Sequence, residues 1–217
     1  NAGYVIGGWV NADRYYNGAL RAIEVHDAVL PDVAARTLPL PLAPVFVTED
    51  SLSFDGSDQR ITSSTPRILI NNAARTLVLS LKTTASDTIP FSLGAGSAAC
   101  NGHWAIAPRA TAWAVYGRCG PYDEYVTVST NVIDGAWHRI AVTFEPSSRR
   151  IRMYADGAEV GDSYLRDHGE SYSTNAGYVI GGWVNADRYY NGQVRNISVY
   201  DDALSPEQLL PMMSPTF

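Results

Sequence analysis

The chain contains the same stretch of sequence twice. Residues 1–18, NAGYVIGGWVNADRYYNG, recur letter for letter as residues 175–192. Similarity continues more loosely beyond each copy, because RAIEVHDAVL at 21–30 matches RNISVYDDAL at 195–204. The copies are separated by roughly the length of one ordinary domain, far more than the roughly 20–50 residues of a solenoid or propeller repeat. We therefore expect the end of one repeat followed by one whole repeat of a tandem array.

Each copy has the pattern of a strand, a polar loop and a second strand. In the later copy the strands are YVIGGWV at 178–184 and QVRNISVY at 193–200. We expect the strands of the earlier copy to form a hairpin, which is marginal in water by itself. Its uncovered apolar patch would consist of Tyr4, Val5, Ile6 and Trp9. Three outcomes are open for the earlier copy: it stays disordered, it displaces the later copy, or it pairs with another copy of the chain or an adjoining repeat. We favour pairing.

Residues 31–47 connect the earlier copy to the rest of the chain. They alternate leucine with proline, which predicts an extended and stiff segment. A spacer of this length reaches ~50 Å when it is extended. We therefore divide the chain into a duplicated strand pair at 1–30, a connector at 31–47 and one domain at 48–217.

Composition limits the classes of partner. The net charge is −6 and no stretch is strongly basic, so nucleic acids and anionic membranes are poor partners. No apolar run approaches the roughly 18–20 residues that span a bilayer. Hydrophobic residues make up 46 % of the chain and charged residues only 18 %, which is typical of a secreted β protein and indicates an extracellular or cell-surface location.

From Glu49 onward, short β-prone segments follow one another with turn residues between them. This spacing predicts an antiparallel sandwich. The predicted strands lie at 52–56, 59–64, 67–71, 76–83, 89–94, 103–107, 111–117, 124–130, 136–145, 149–157, 178–184 and 193–200. The only predicted helix is SPEQLL at 205–210, with Ser205 as its N-cap and Pro206 at its first position.

Three of these segments resemble a known family. DGAWHRIAVTFEPSSRRIRMYADGAEV at 134–160 resembles the paired central strands of laminin G-like, concanavalin A-type jelly rolls, in which a W-H-x-I-A-V-T strand precedes a strand ending Y-x-D-G. LSFDGSDQRI at 52–61 and YYNGQVRNISVYDDALSPEQL at 189–209 resemble that family's first and last strands. The resemblance covers roughly residues 50–210. It implies an all-β, antiparallel two-sheet jelly-roll sandwich, a fold that hosts many functions.

The residue pattern agrees with this fold. Ile140, Val142 and Phe144 alternate along one strand and would share its buried face. Trp137 begins the same strand, and we expect it to fill the core rather than to bind a ligand. Asp156-Gly157 predicts a tight hairpin turn with positive φ.

The sequence does not indicate catalysis. Glucanases that share the jelly roll resemble one another in an E-x-D-x-E strand, which places the carboxylates on one face. The nearest acidic cluster here, Asp123 and Glu124, has adjacent residues that point to opposite faces. The histidines show no HExxH pattern and no obvious carboxylate partner, and G-x-S-x-G is absent from the sequence. We expect no catalytic residue.

The resemblance makes calcium a candidate cofactor, because many laminin G-like domains bind it through loop carboxylates and carbonyl groups. The family often has aspartates just after the glycine of the last strand, where this chain has Arg195 and Asn196. A cation at that position speaks against the site. We expect no cofactor, and the alternative is calcium at the turn that contains Asp55 and Asp58.

A loop in the later copy is a candidate sugar site. It combines aromatic rings, on which a sugar can stack, with side chains that hydrogen-bond to hydroxyl groups. The candidate ligand-binding residues are Trp183, Asn185, Asp187, Arg188 and Tyr189. The alternative is structural, with Tyr190 in the core and Trp183 capping a sheet. The hairpin at 100–122, which is rich in Trp, Tyr and Arg, is an equal candidate.

Two functions remain open. The first is an extracellular, non-catalytic structural or adhesive repeat, as in a filament or surface layer, that assembles head to tail with other copies or adjoining repeats. The alternative is a carbohydrate-binding, lectin-type module of a larger secreted protein, with glycans as partners.

Asn196, in the sequence Asn-Ile-Ser, would be a glycosylation acceptor if its face is outward.

We predict a disulfide between Cys100 and Cys119, because the two residues flank one predicted hairpin at its open end. The bond would close a loop of roughly twenty residues and stabilise the fold by ~3 kcal/mol in the chain-entropy model. Intact-mass measurement without reductant tests the prediction, and two freely alkylated thiols would contradict it.

We also predict that chelators leave the stability of the protein unchanged, because the positively charged Arg195 stands where the family has metal-binding aspartates. The melting temperature should be the same with and without EDTA. A clear fall on adding EDTA would instead indicate a metal-bound fold.

Overall fold

The computed structural model describes residues 44, 46–48, 51–63, 73–94, 103–119, 122–165, 177–183 and 188–213. All of these belong to one compact unit, Ala43–Phe217. The earlier copy of the repeat lies outside the described residues, and so do most of the connector and the predicted strand at 67–71. The predictions for these segments stay predictions.

The described residues form thirteen strands and two short helical segments. The strands are β1 (Phe46–Thr48), β2 (Leu52–Asp55), β3 (Ile61–Thr62), β4 (Arg75–Lys82), β5 (Phe91–Gly94), β6 (His103–Arg109), β7 (Ala112–Cys119), β8 (Tyr122–Val128), β9 (His138–Glu145), β10 (Arg150–Ala155), β11 (Ala158–Tyr164), β12 (Tyr178–Ile180) and β13 (Asn191–Tyr200). Helix α1 (Pro206–Leu209) continues into a 3₁₀ turn at Leu210–Met213. Within the described part of the chain, no helix is long and apolar enough to cross a membrane.

The strands form two antiparallel sheets, which confirms the predicted jelly-roll sandwich. Among the described residues, the large sheet has seven strands in the order β1-β13-β4-β9-β10-β11, and β2 also pairs with β13. The small sheet has six strands in the order β3-β12-β5-β6-β7-β8. All described strand pairs are antiparallel, as expected for a sandwich whose connections pass between sheets.

Alternating apolar residues of both sheets form the core. The predicted inward positions of β9 are confirmed, because Ile140, Val142 and Phe144 are all buried. Their neighbours from β4, β10 and β13 include Leu77, Leu79, Leu81, Ile151, Met153, Val194, Ile197 and Val199. The intervening residues of these strands therefore face away from the core, on what we call the outer face of the large sheet.

One charged side chain, that of Arg75, lies inside the sandwich. Its guanidinium carbon is 5.8 Å from the ring centroid of Trp104 and 5.2 Å from that of Phe144, so the cation faces two aromatic rings. Its Nε donates a hydrogen bond to the carbonyl of Ala73 at 3.0 Å. Burial lowers the pKa of Arg75 to about 10. Because this value is still well above 7, the guanidinium is protonated at neutral pH.

The two strands of the later copy of the repeat do not pair with each other. Its first strand, β12, lies in the small sheet between β3 and β5, whereas β13 lies in the large sheet between β4 and β1 with β2. The chain crosses between the sheets near Gly181, which has a φ of 84°. The N–H of Gly181 donates to the carbonyl of Pro90 at 3.0 Å, and the N–H of Tyr190 donates to the carbonyl of Gly181 at 3.0 Å.

Other differences from the predicted elements have simple causes. The edge strand β11 was not predicted because its side chains are mostly exposed and lack an apolar face. Strand β1 begins at Phe46, inside the predicted connector, and pairs with Val199. The turn of the β6–β7 hairpin is at residues 110–111 because Arg109 pairs with Ala112. The predicted short helix is confirmed, and the N–H of Ser205 donates to Oε1 of Gln208 at 2.9 Å.

Trp137 does not fill the core, contrary to the expectation. It is partly exposed, and the guanidinium carbon of Arg195 lies 4.2 Å from its ring centroid. Arg195 follows the inward Val194 and therefore points to the outer face. The tryptophan packs under this cation because it precedes β9 rather than occupying an inward position of that strand.

His138 has carboxylate partners that the sequence did not reveal. Its Nδ1 lies 2.8 Å from Oδ2 of Asp156, and its Nε2 lies 2.9 Å from Oδ1 of Asp134. Burial lowers the pKa of His138, but the hydrogen bonds to the two carboxylates outweigh it, so the pKa is raised overall. The ring thus connects the loop before β9 to the predicted Asp156-Gly157 turn, which has positive φ at both residues.

We predict that this histidine clamp stabilises the fold most when it is protonated. A raised folded-state pKa gives stability that is present below the ordinary histidine pKa of about 6.5 and is lost as pH rises through the folded pKa. Urea denaturation near pH 6 should show His138→Gln to be less stable than the wild type by about 1 kcal/mol, and the difference should shrink near pH 9. An equal difference at both pH values would contradict the clamp.

Candidate functional site

The outer face of the large sheet carries a cleft beside strands β9 and β10. Its floor consists of outward-facing residues, because Ile151 and Met153 of β10 point into the core. The cleft has a volume of about 230 Å³. The lining residues are Thr143, Glu145, Ser148, Arg150, Arg152, Ala203, Leu204 and Ser205.

Strand register arranges the floor in two rows. Arg150 lies opposite Glu145 on β9 and opposite Tyr164 on β11. In the next row, Arg152 lies opposite Thr143 and opposite Asp162. Directly opposite side chains on one face of a sheet are close enough to touch one ligand.

A bidentate ion pair fixes the rim of the cleft. Nε of Arg150 donates to Oδ1 of Asp162 at 2.7 Å, and Nη2 of Arg150 donates to Oδ2 of the same carboxylate. The hydrogen bond from Arg150 lowers the pKa of Asp162, and the reciprocal interaction raises the pKa of Arg150. Both groups therefore stay charged across the physiological range, and the fork geometry holds the guanidinium in one orientation.

An exposed aromatic ring lies next to this pair. Tyr164 is 61 % exposed, which makes it an exception among the large hydrophobic side chains of the described residues. It is directly opposite Arg150 at the end of β11. A free aromatic face beside fixed hydrogen-bonding groups is the combination that stacks on and orients a sugar ring.

The segment that follows β13 forms the other wall. Oγ1 of Thr76, on the outer face of β4, donates to the carbonyl of Asp202 at 2.7 Å and accepts from the N–H of Leu204 at 2.9 Å. These two bonds hold residues 203–205 against the sheet. The wall is therefore held in place by the Thr76 hydroxyl on both sides of residue 203.

The lining suits a small ligand with many hydroxyl groups. Hydroxyl, carboxylate and guanidinium groups provide both donors and acceptors within one sugar-sized space. Nε of Arg152 is buried and makes no hydrogen bond to any described residue. The volume lies below the roughly 300–1,000 Å³ of pockets for drug-sized ligands, which points to one ring or a chain end.

The sugar site that the sequence suggested is only partly described. Trp183 is 4 % exposed, packs with Ile89, Ala105 and Ala107, and has the Arg188 guanidinium 5.7 Å from its ring centroid. Its ring is therefore not free for stacking, in agreement with the structural alternative, and Tyr190 is fully buried as that alternative expects. Arg188 is exposed and Tyr189 partly exposed. Asn185 and Asp187 lie outside the described residues.

The second candidate, the hairpin at 100–122, has its tryptophans in the core. Trp104 and Trp113 are 1 % and 0 % exposed. Arg109 is at the turn and forms an ion pair with Asp87. Cys119 ends β7 near the start of β6, but Cys100 lies outside the described residues, so the disulfide stays a prediction.

The structure describes the surroundings of the candidate calcium and glycosylation residues. Oδ1 of Asp55 accepts the N–H of Ser57 at 2.9 Å, a local turn contact, and Asp58 is exposed. Among the described residues, no group of three or more His, Cys, Asp or Glu side chains is arranged so that it could hold a metal ion. Asn196 is partly exposed at a bulge of β13, with a φ of 50°, and its carbonyl accepts Nη1 of Arg139 at 2.7 Å.

Sequence reasoning missed the cleft, although one signal of it was present. The alternation of Arg150 and Arg152 with buried apolar residues was a signal that both arginines share one face. The approach of residues 203–205 to that face depends on the tertiary path after β13 and leaves no mark in the local sequence.

Comparison with solved structures shows the same fold at low sequence identity. A leech intramolecular trans-sialidase, solved with 2,7-anhydro-Neu5Ac, matches with a TM-score of 0.66 and 17 % identity over 82 % of this chain and 29 % of the enzyme. The Ruminococcus gnavus IT-sialidase CBM40, bound to α2,3-sialyllactose, matches with a TM-score of 0.59 and 16 % identity over 79 % of this chain and 100 % of that module. A heptameric SAP-like pentraxin from Limulus polyphemus matches with a TM-score of 0.56 and 17 % identity, over 77 % of this chain and 82 % of that one.

This chain thus spans less than a third of the leech enzyme and the full length of the CBM40 module. A comparison with curated protein sequences finds no match. The model of the concanavalin A-like lectin/glucanases superfamily matches residues 55–210, which include strands β3 to β13 and helix α1. The chain therefore belongs to the concanavalin A-like lectin/glucanases superfamily.

Proposed function

We propose that the chain is a lectin-type, carbohydrate-binding module that binds glycans in the cleft on the outer face of the large sheet. The observation that carries this proposal is the exposed ring of Tyr164 beside the bidentate Arg150–Asp162 pair, at the rim of a sugar-sized cleft. Aromatic stacking and fixed polar groups together recognise the apolar and hydroxyl faces of a sugar.

The comparisons support this function over that of a filament subunit. Two of the similar structures contain sialic acid derivatives or sialyl glycans, and the CBM40 module matches this chain over its own whole length. A glycan-binding module usually works outside the cell, so we place the protein in an extracellular setting. The arginines of the cleft suit glycans with an acidic group, although Asp162 already neutralises one of them.

We propose further that the module is not catalytic. A glycosidase needs a carboxylic acid that is protonated at neutral pH because its pKa is raised. The hydrogen bond from Arg150 instead lowers the pKa of Asp162, the carboxylate at the rim. The His138 ring has both nitrogens engaged by carboxylates and is therefore committed to the fold rather than to proton transfer.

The test is a glycan array that contains neutral and sialylated glycans, followed by titration of the best ligand. We expect saturable binding, weakened at least about tenfold by Arg150→Ala, which removes the guanidinium that holds Asp162 at the rim, and by Tyr164→Ala, which removes the stacking face. The matched control is Arg109→Ala, which breaks an exposed Arg–Asp pair away from the cleft and should keep wild-type affinity.

Other results would reject parts of the proposal. Absence of binding to every glycan would reject the lectin function. Binding that survives both cleft variants would keep the function and move its site elsewhere on the molecule. Release of free sugar from the ligand during incubation would show that the module is an enzyme.

A further inference from the structure

The later copy of the repeat occupies a central place in both sheets. Strand β12 lies between β3 and β5, and β13 pairs with β4 on one side and with β1 and β2 on the other. We call β12, β13 and the residues between them the closing segment, and the space that it fills the slot. The buried side chains of the copy within this slot are Val179, Ile180, Trp183 and Tyr190.

The slot also restricts the backbone of its occupant. Gly181 has a φ of 84°, and a Cβ there would lie 2.2 Å from the ring of Phe54. Gly192 has a φ of 154°, and a Cβ there would lie 2.4 Å from the carbonyl oxygen of Lys82. Glycine is therefore required at both positions on grounds of space as well as of φ.

Residues 1–18 meet each of these requirements, because they are identical to 175–192. Gly7 and Gly18 stand where the slot needs glycine, and the buried positions correspond to Val5, Ile6, Trp9 and Tyr16. The match extends beyond the identical stretch at the positions that point into the core. The inward residues Val194, Ile197 and Val199 of β13 correspond to Leu20, Ile23 and Val25, all of which are apolar.

We propose that residues 1–26 are a second closing segment, able to fill the slot of another copy of this chain when that slot is open. Residues 1–217 carry two copies of the segment, and their described part forms one slot, which the later copy fills. The Leu-Pro sequence of the connector at 31–47 predicts an extended segment that can reach ~50 Å, and this length favours a second molecule over a return to its own domain.

The chain's own segment has the advantage in an intact domain. The sequence after the earlier copy diverges beyond the residues that match 195–204, and residues 205–213 of the later copy add contacts such as the Arg139 Nε hydrogen bond to the carbonyl of Met212 at 3.2 Å. The exchange therefore shows itself when the later copy is impaired and the earlier copy is intact. Identical copies allow each to be disabled separately in the full chain.

Gly181→Val disables the later copy, because valine would need positive φ and would collide with Phe54. If residues 1–26 of a second chain replace it, the full-length G181V protein should melt roughly 5–10 °C above the G7V/G181V double variant, in which both copies are disabled. Its molar mass by light scattering should rise with concentration. The matched control is G8A/G181V, because the equivalent Gly182 has room for a Cβ, with its nearest contact at 3.5 Å. This variant should behave like G181V.

Two results would overturn the proposal. If G181V melts as low as G7V/G181V, the earlier copy does not fill the slot at all. If G181V keeps the higher melting temperature but remains a monomer at every concentration, the earlier copy acts within its own chain and the intermolecular exchange is wrong.

Discussion

The crossing from β12 to β13 is the constraint on which both sheets depend. At this point one segment leaves the small sheet at Ile180 and enters the large sheet at Asn191. Tyr190 fills the space between the sheets, and its hydroxyl donates to the carbonyl of Lys82 at 3.3 Å. Burial raises the pKa of this tyrosine, so it stays neutral where a charge would be costly. Strand β13 then provides the pairing edge for three other strands.

The cleft depends on the same strand, although it lies on the opposite face of the sheet from the core. Residues 203–205 form one wall only because β13 ends beside Thr76, whose hydroxyl holds Asp202 and Leu204. The floor depends on the β9–β10 register, which places Arg150 between Glu145 and Tyr164. The strand register that the core imposes thus determines the position of the polar groups on the floor of the cleft.

The sandwich and much of its core could be predicted from the sequence, because alternating apolar residues determine which face of a strand is buried. The inward set Ile140, Val142 and Phe144 is an example. The strand β11 could not be predicted in this way, since an exposed edge strand needs no apolar face. The placement of the two strands of the later copy in different sheets could not be predicted either. Adjacency in sequence favours pairing, whereas the chain turns toward the other sheet near Gly181, which has positive φ.

Functional residues were harder to predict because their roles depend on neighbours that are distant in sequence. Aromatic residues drew attention to Trp183, yet that ring packs against Ile89 and lies under Arg188. Tyr164 looked unremarkable in sequence, yet its ring is exposed, because β11 is an edge strand among the described strands and none of them covers it on that side. His138 similarly gained two carboxylate partners only through a turn and a loop that meet around it.

The closing segment connects the two proposals through one wall of the cleft. When the later copy fills the slot, the wall is Ala203, Leu204 and Ser205. The corresponding residues after the earlier copy are Val29, Leu30 and Pro31, so the hydroxyl of Ser205 would be replaced by a proline ring. A domain closed by the earlier copy would keep its sheets but lose one polar group of the cleft. If both proposals hold, the two closed forms would therefore differ in ligand affinity while the floor of the site stays the same.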